Sequence, residues 1–318
     1  MGSLSISSID SALKTHLKDN PEIYQEKMVS MEDELEMKGI QIFNDVEDEM
    51  PLYKLDVTDP GQPGNRSTEN IKSSVVSFDN RVLKVRDAEV SLKFTNQEIN
   101  ALYRTHLNET RRAAARGSAY DVPFEDVIMS AIVRRFMDRI LSVLAFKGSY
   151  NASGTTTADI ADGWETLVAA DIVSTAIPAA RVFTGGAIDG TTALAQFNGV
   201  NDLVVTNDPE YQEQVLNVYC APENLKYYRT NYRSSFNSLP YNTEFKKNFL
   251  DDDTNRPIMP MQGLAGDDRI IITPPNNLVI GTDAMRRLGN IWTETRGRDL
   301  YIYIDGKIGF NYKLASEI

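Results

Sequence analysis

From Pro123 to Phe146 the chain runs for 24 residues with no glycine and no second proline. Phe124, Val127, Ile128, Ala131, Ile132, Phe136, Ile140, Val143 and Leu144 recur within it at steps of three and four, which is the period of one helix face. Asp121 stands where an N-cap belongs, Pro123 suits the first position, Glu125 and Asp126 suit the first turn, and Gly148 closes the segment. At ~1.5 Å per residue such a helix is about 36 Å long. It is the longest and most periodic element in the sequence. Arg134, Arg135 and Arg139 fall on its polar side, as a solvated face or as a surface that meets another subunit or DNA.

Upstream, Thr95-x-x-Glu98 has the spacing of a capping box and starts a second helix, which runs to Gly117 with Arg111, Arg112 and Arg116 in its final turns. Residues 51–94 have a different character. A long polar stretch from Asp59 to Ser67 is rich in glycine and proline, and strand-like runs follow at Val82–Arg86 and Ala88–Phe94. This pattern predicts a two-stranded ribbon over Val75–Phe94 that projects from the body. Val82, Lys84, Arg86, Val90 and Leu92 would contact a neighbouring subunit, together with Arg134, Arg135 and Arg139.

The first 50 residues read as an arm. Ile9, Leu13 and Leu17 form one narrow helical stripe, Ile23, Met28, Met31 and Leu35 form another, and Asn20-Pro21 separates them. Stripes this narrow predict a segment that needs a partner surface. Between Glu22 and Glu49, ten acids face only Lys27 and Lys38, so this stretch carries −8 of the chain's net −12.

Beyond Gly148 the pattern turns α/β-like. Helices are expected at Gly163–Ser174, Thr191–Phe197, Pro209–Tyr219 and from Pro222 toward Tyr232, with strands at Leu203–Thr206 and Ile270–Thr273. The carboxyl end reads as strands at Ile291–Thr295, Leu300–Ile304 and Lys307–Tyr312, with Asp305-Gly306 as a hairpin turn.

Chemistry is hard to find. An acidic chain repels nucleic acid on average, which argues against sequence-specific DNA reading. His16 and His106 are 90 positions apart in helical, charged surroundings and read as exposed; with Cys220 they make no recognisable zinc set. There is no phosphate loop, no dinucleotide fingerprint and no nucleophile elbow. Asp251, Asp253 and Asn255 begin like a calcium loop, but Arg256 replaces the required glycine and Pro257 follows, so the stretch reads as a solvated acidic loop. No apolar run approaches the ~18 residues of a membrane span. The first ten residues lack the start of a secretory signal, and a single cysteine forms no intrachain disulfide. The reading is of a protein that is not an enzyme and carries no cofactor or metal.

The order of elements (arm, ribbon, long helix, α/β region, closing strands) resembles the major capsid proteins of tailed bacteriophages, with their Hong Kong 97-like fold. Pro274–Asp283 and Asp299–Phe310 resemble that family's late turn and final strands. Leu203–Tyr211 resembles a strand-to-helix step of its axial domain, and Asp162-Gly163-Trp164 the segment opening that domain. The resemblance implies an α+β fold. Its parts would be an N-terminal arm at 1–50, an extended β-loop at 51–94, a peripheral domain with a spine helix at 95–150 and 283–318, and an axial domain at 151–282. It implies self-assembly through pentamers and hexamers into an icosahedral virion shell around double-stranded DNA, built in the host cytoplasm. The implied partners are other copies of the chain, a portal, scaffold or decoration proteins, and packaged DNA in non-specific contact; no membrane is implied. The arm is too short for the large amino-terminal scaffolding domain of some members, so a separate scaffold or none is expected. An encapsulin-like compartment around a cargo enzyme is the alternative with the same fold, and an unrecognised hydrolase or carbohydrate-active protein is the alternative from another class.

Overall fold

The computed structural model describes residues 6–19, 33–57, 76–115, 123–207, 209–236, 248–250, 253–283 and 291–318. Helix α1 (Ile6–Asp19) buries Ile6, Ile9 and Leu13. Helix α2 (Asn96–Ala115) starts at the expected capping box: the Thr95 amide donates to Glu98 at 2.8 Å, and the Glu98 amide donates to the Thr95 hydroxyl at 3.4 Å. Helix α3 (Phe124–Arg139) buries Phe124, Ile128, Met129 and Val133. Those residues share one apolar cluster with α1, with Ile99 of α2 and with Leu300, Ile302 and Ile304. The first stripe of the arm is therefore covered by its own chain, and needs no partner surface. Asp10 interrupts the stripe, and Lys14 donates to it at 2.8 Å and Thr293 at 2.6 Å. Burial pushes the Asp10 carboxyl up, but these bonds outweigh it and leave the group below its usual range. The second stripe lies mostly, and Gly117 and Asp121 wholly, outside the described residues.

The long helix forms as expected, with one feature that periodicity did not reveal. After Arg139 a π-turn, Ile140–Leu144, leads into a last α-turn, Ala145–Lys147, and the Ala145 amide donates to the Ile140 carbonyl. One inserted residue rotates the remainder of the helix by about 100°. Ile140, Leu144, Ala145 and Phe146 are all buried in a second cluster, with Trp164, Ile280, Phe310 and Tyr312. The helix thus spans two cores, and the π-turn lies at the start of the second.

The strands are β1 (Gln41–Asn44), β2 (Glu49–Val57), β3 (Val76–Lys84), β4 (Arg86–Phe94), β5 (Asn217–Cys220), β6 (Ile258–Pro260), β7 (Ile271–Thr273), β8 (Leu278–Thr282), β9 (Ile291–Arg296) and β10 (Asp299–Tyr312). The main sheet has the order β1-β8-β10-β4, with β9 also on β10. The ribbon is built from β2 and β3, in register from Glu49 opposite Lys84 to Val57 opposite Val76. This corrects the expected ribbon over Val75–Phe94. Strand β4 belongs to the body, paired antiparallel with β10 from Phe94 opposite Leu300 to Arg86 opposite Ile308.

The Asp305-Gly306 hairpin is also overturned, because β10 passes straight through it. Glu89 and Ala88 of β4 stand opposite Asp305 and Gly306, so one continuous partner holds both halves in line. The chain turns earlier, between β9 and β10, where Gly297 has a φ of 67°. That backbone conformation suits glycine.

A smaller sheet, β6-β5-β7, carries the third cluster with helices α5 (Ala193–Asn207) and α6 (Pro222–Phe236). Leu203–Thr206, expected as a strand, is the last part of α5; Leu203 and Val204 continue its half-buried face beyond Phe197. Pro209–Tyr219, expected as a helix, has only a short 3₁₀ turn at Pro209–Gln212 before β5, whose four residues are all buried between β6 and β7. Helix α4 (Trp164–Val173) packs on the second cluster through Trp164, Leu167 and Val168. The Trp164 ring meets Phe146 at 5.0 Å and Phe310 at 5.3 Å, both edge to face.

Candidate assembly surfaces

The ribbon leaves the body where β3 crosses the main sheet. Leu52 and Leu83 are buried against Val279, with Phe43 and Met50 beside them. The approach is close enough that a Cβ on Gly309 would lie 2.0 Å from the Lys84 carbonyl oxygen. Arg81 holds the root from a second side: its guanidinium pairs with Asp171 of α4 at 2.6 Å and lies 4.0 Å over the Tyr312 ring. Further out, Tyr53 is 66% exposed.

The residues proposed from sequence as subunit contacts separate into groups. Val82 is exposed on β3. Lys84 is also exposed, but pairs across the ribbon with Glu49 at 2.9 Å. Arg86 lies 4.2 Å over the Tyr150 ring. Val90 packs into the first cluster of its own chain, so its burial needs no neighbour, and Leu92 is half-buried on the same side of β4. Arg134, Arg135 and Arg139 are exposed together on α3. The two histidines are not exposed as expected: His16 sits 4.0 Å from Asp126 and His106 packs against Phe124.

Sequence reasoning passed over several exposed apolar groups. Val173, at the end of α4, is 85% exposed, and Trp292 is 44% exposed on the outer face of β9. Trp292 stacks on Tyr303 at 5.4 Å, with Tyr301 alongside Tyr303 at 6.3 Å. Lys93 and Arg296 approach the Tyr301 ring, and Asp299 and Glu294 pair with those cations. Alternation along β10 marks this outward face, whereas nothing local marks Val173. A cleft of about 560 Å³ opens between α4, α5 and β7, with Val168, Val200, Val204 and Ile272 among its apolar walls.

The interior offers little reactive chemistry. Among the described residues no group of three or more His, Cys, Asp or Glu side chains is placed to hold a metal ion. Burial pushes the Cys220 thiol up to about 12, too high for a nucleophile at neutral pH. Arg256, from the acidic loop, is not solvated but 1% exposed. It donates to Asn201 at 2.9 Å and to the carbonyls of Gln214 and Tyr211, and so ties the 209–216 segment to the small sheet. No helix of the described residues is long and apolar enough to cross a membrane.

No family model matches the chain, and no curated protein matches it. Solved structures do. A chain from the structure of the satellite phage P4 procapsid including size determination (Sid) protein is similar over 91% of this chain and 88% of that one, with a TM-score of 0.60 at 14% identity. A chain from the capsid of Ralstonia phage GP4 is similar over 86% and 82%, with a TM-score of 0.49 at 14% identity. One from Mycobacterium phage Cain is similar over 89% and 87%, with a TM-score of 0.48 at 14% identity. The first likeness carries the conclusion on fold: the α+β capsid-protein fold expected from the sequence is the one the chain adopts.

Proposed function

We propose that this chain is a major capsid protein of a bacteriophage: a structural protein that self-assembles through pentamers and hexamers into an icosahedral shell around double-stranded DNA. The observation that carries this reading is the fold, shared over nine-tenths of the chain with a procapsid structure. The ribbon supports it physically. A two-stranded ribbon alone is marginally stable in water, and β2–β3 is anchored to its own body at the root. The exposed Tyr53 and Val82 gain burial when a neighbouring copy covers them.

In this reading the arm is 1–50, the extended loop is centred on the β2–β3 ribbon, the peripheral domain contains α2, α3 and the closing strands, and the axial domain is built on the small sheet. Arg134, Arg135 and Arg139 meet acidic surface of an adjacent subunit. A portal, scaffold or decoration proteins and non-specifically held DNA complete the particle, which is assembled in the host cytoplasm. A net charge of −12 does not oppose DNA filling when a motor drives packaging. The protein has no catalytic role.

Electron microscopy of the concentrated, purified chain tests this. Closed or polymorphic shells are expected, with rings of five and six subunits; a stable monomer at high concentration overturns the reading. Mass spectrometry of particles from cells then separates a phage shell, with genome and portal, from a compartment holding a cargo enzyme.

A further inference from the structure

Four residues from three distant parts of the chain converge where the ribbon leaves the body. Arg81 of β3 donates Nη2 to Oδ2 of Asp171 at 2.6 Å and Nε to Oδ1 of Asn311 at 3.2 Å. Its guanidinium plane lies 4.0 Å over the ring of Tyr312. The Tyr312 hydroxyl donates to the same Asp171 oxygen, and the Asn311 side-chain amide donates to the Val82 carbonyl at 2.9 Å. Asn311 is itself fixed, because its carbonyl accepts the indole N–H of the fully buried Trp164 at 2.8 Å.

The Arg81 and Asp171 side chains are 16% and 20% exposed. The other ion pairs described at the root, Lys84–Glu49 and Lys307–Asp48, each have a partner more than half exposed. Exposed pairs restrict little, because water screens them and their long side chains remain free. The Arg81 site is different in kind. A planar guanidinium held at two nitrogens in its own plane and stacked on one face cannot rotate about any axis without losing a partner. Two of those partners, Asn311 and Tyr312, are on the main sheet, and the third, Asp171, is on α4.

We propose that Arg81 is a positioning residue that clamps the root of the ribbon and sets the angle at which the ribbon leaves the subunit. The lever is long. Five residues separate Arg81 from Val76, ~17 Å at ~3.4 Å each, so a 20° swing at Arg81 moves the end of the described strand pair by about 6 Å. That exceeds the reach of a side-chain contact, ~4 Å. A clamped root therefore presents the ribbon in the orientation that a neighbour can accept, whereas a free root presents a spread of orientations. The consequence for assembly rests on the shell-protein reading; the clamp itself does not.

The experiment places nitroxide labels at Val57→Cys, where the described part of β2 ends, and at Val173→Cys, beside the anchor on α4. Cys220 is buried and stays unlabelled in the folded chain. The parent should give one narrow distance distribution. Arg81→Met should at least double its width while amide exchange still reports β2–β3 pairing, and Arg81→Lys, which keeps the charge but not the fork, should broaden it nearly as much. Tyr312→Phe removes only a hydroxyl and is the mild variant to read if Arg81→Met does not fold; a smaller broadening is expected. An unchanged width in a folded variant overturns the clamp. Electron microscopy of the same proteins separates the two readings. If the parent makes no shells, the shell reading fails and the distances still judge the clamp. If the parent makes shells, Arg81→Met should make few or misshapen ones, and normal shells overturn the consequence for assembly.

Discussion

The indole N–H of Trp164 donates to the carbonyl of Asn311 at 2.8 Å, in the interior, and joins the start of α4 to the end of β10. This bond links the aromatic centre of the second core to the strand that runs under the ribbon root. Trp164→Phe keeps most of the ring but leaves a buried carbonyl without its donor. The expected loss is about 1–3 kcal/mol. Trp164→Ala also opens a cavity and should cost about 3–5 kcal/mol. Urea unfolding of the two variants measures both values, and the difference between them isolates the packing contribution.

Two glycines three positions apart on β10 should respond very differently. A Cβ on Gly309 would lie 2.0 Å from the Lys84 carbonyl oxygen, and backbone there cannot give way as a flexible side chain can. Gly309→Ala should therefore lift the ribbon root and destabilise by about 1–3 kcal/mol. Nothing lies within 4 Å of a Cβ on Gly306, so Gly306→Ala should stay within about 0.5 kcal/mol of the parent. Thermal or urea unfolding of the pair decides the matter.

Asp189 precedes α5 and accepts the amides of Thr191 at 2.7 Å and Thr192 at 3.0 Å. Hydrogen bonds from Thr191, both hydroxyl and amide, lead the causes that hold its carboxyl down at about 2. A depressed folded pKa means stability that is present above the ordinary value of 3.8 and is lost as pH falls through about 2. Asp189→Ala should melt below the parent at pH 6, and the gap should close between about pH 4 and pH 2. A gap independent of pH would contradict the assignment.

The Cys220 thiol is fully buried in the small sheet, and burial raises it to about 12. At pH 8 the native chain should resist iodoacetamide, and unfolding in guanidinium should expose one reactive thiol. Mass spectrometry of the modified chain counts it. Fast labelling of native protein would mean that β5 opens far more readily than its pairing on both sides implies.

Salt should weaken assembly if Arg134, Arg135 and Arg139 meet acidic neighbours. Exposed charges interact over about 10 Å at 0.1 M salt and about 3 Å at 1 M. Light scattering of purified subunits should show slower assembly as salt rises, and Arg134→Glu combined with Arg135→Glu should remove most of that dependence. Salt-insensitive assembly would leave apolar burial as the driving force.

The elements that were legible in the sequence are those whose signal is local. The Thr95–Glu98 cap joins groups three residues apart, and the face of α3 repeats every three or four, so both could be read without knowing the rest of the chain. The extended character of the closing strands was visible in the alternation from Leu300 to Ile304. The candidate contact residues were less legible. Arg134, Arg135 and Arg139 could be seen as a charged face, but alternation alone could not separate Val82, which is exposed, from Val90, which packs into its own core.

By itself the sequence determined which stretches are helical or extended where neighbours along the chain make the decisive interactions. It also settled the acidic balance, the capped start of α2 and the length of the spine helix. The tertiary structure decided the rest. Asp305-Gly306 has the composition of a turn, but it stays extended because Glu89 and Ala88, more than 200 positions earlier, pair across it. Leu203–Thr206 has the composition of a strand, but it finishes α5 because its apolar side lies against the third core. Arg81 becomes a clamp only because Asp171 and Tyr312 are brought to it from 90 and 231 positions away. Turn and strand preferences are worth a few tenths to about one kcal/mol, and a run of backbone pairs or a packed apolar face outweighs them.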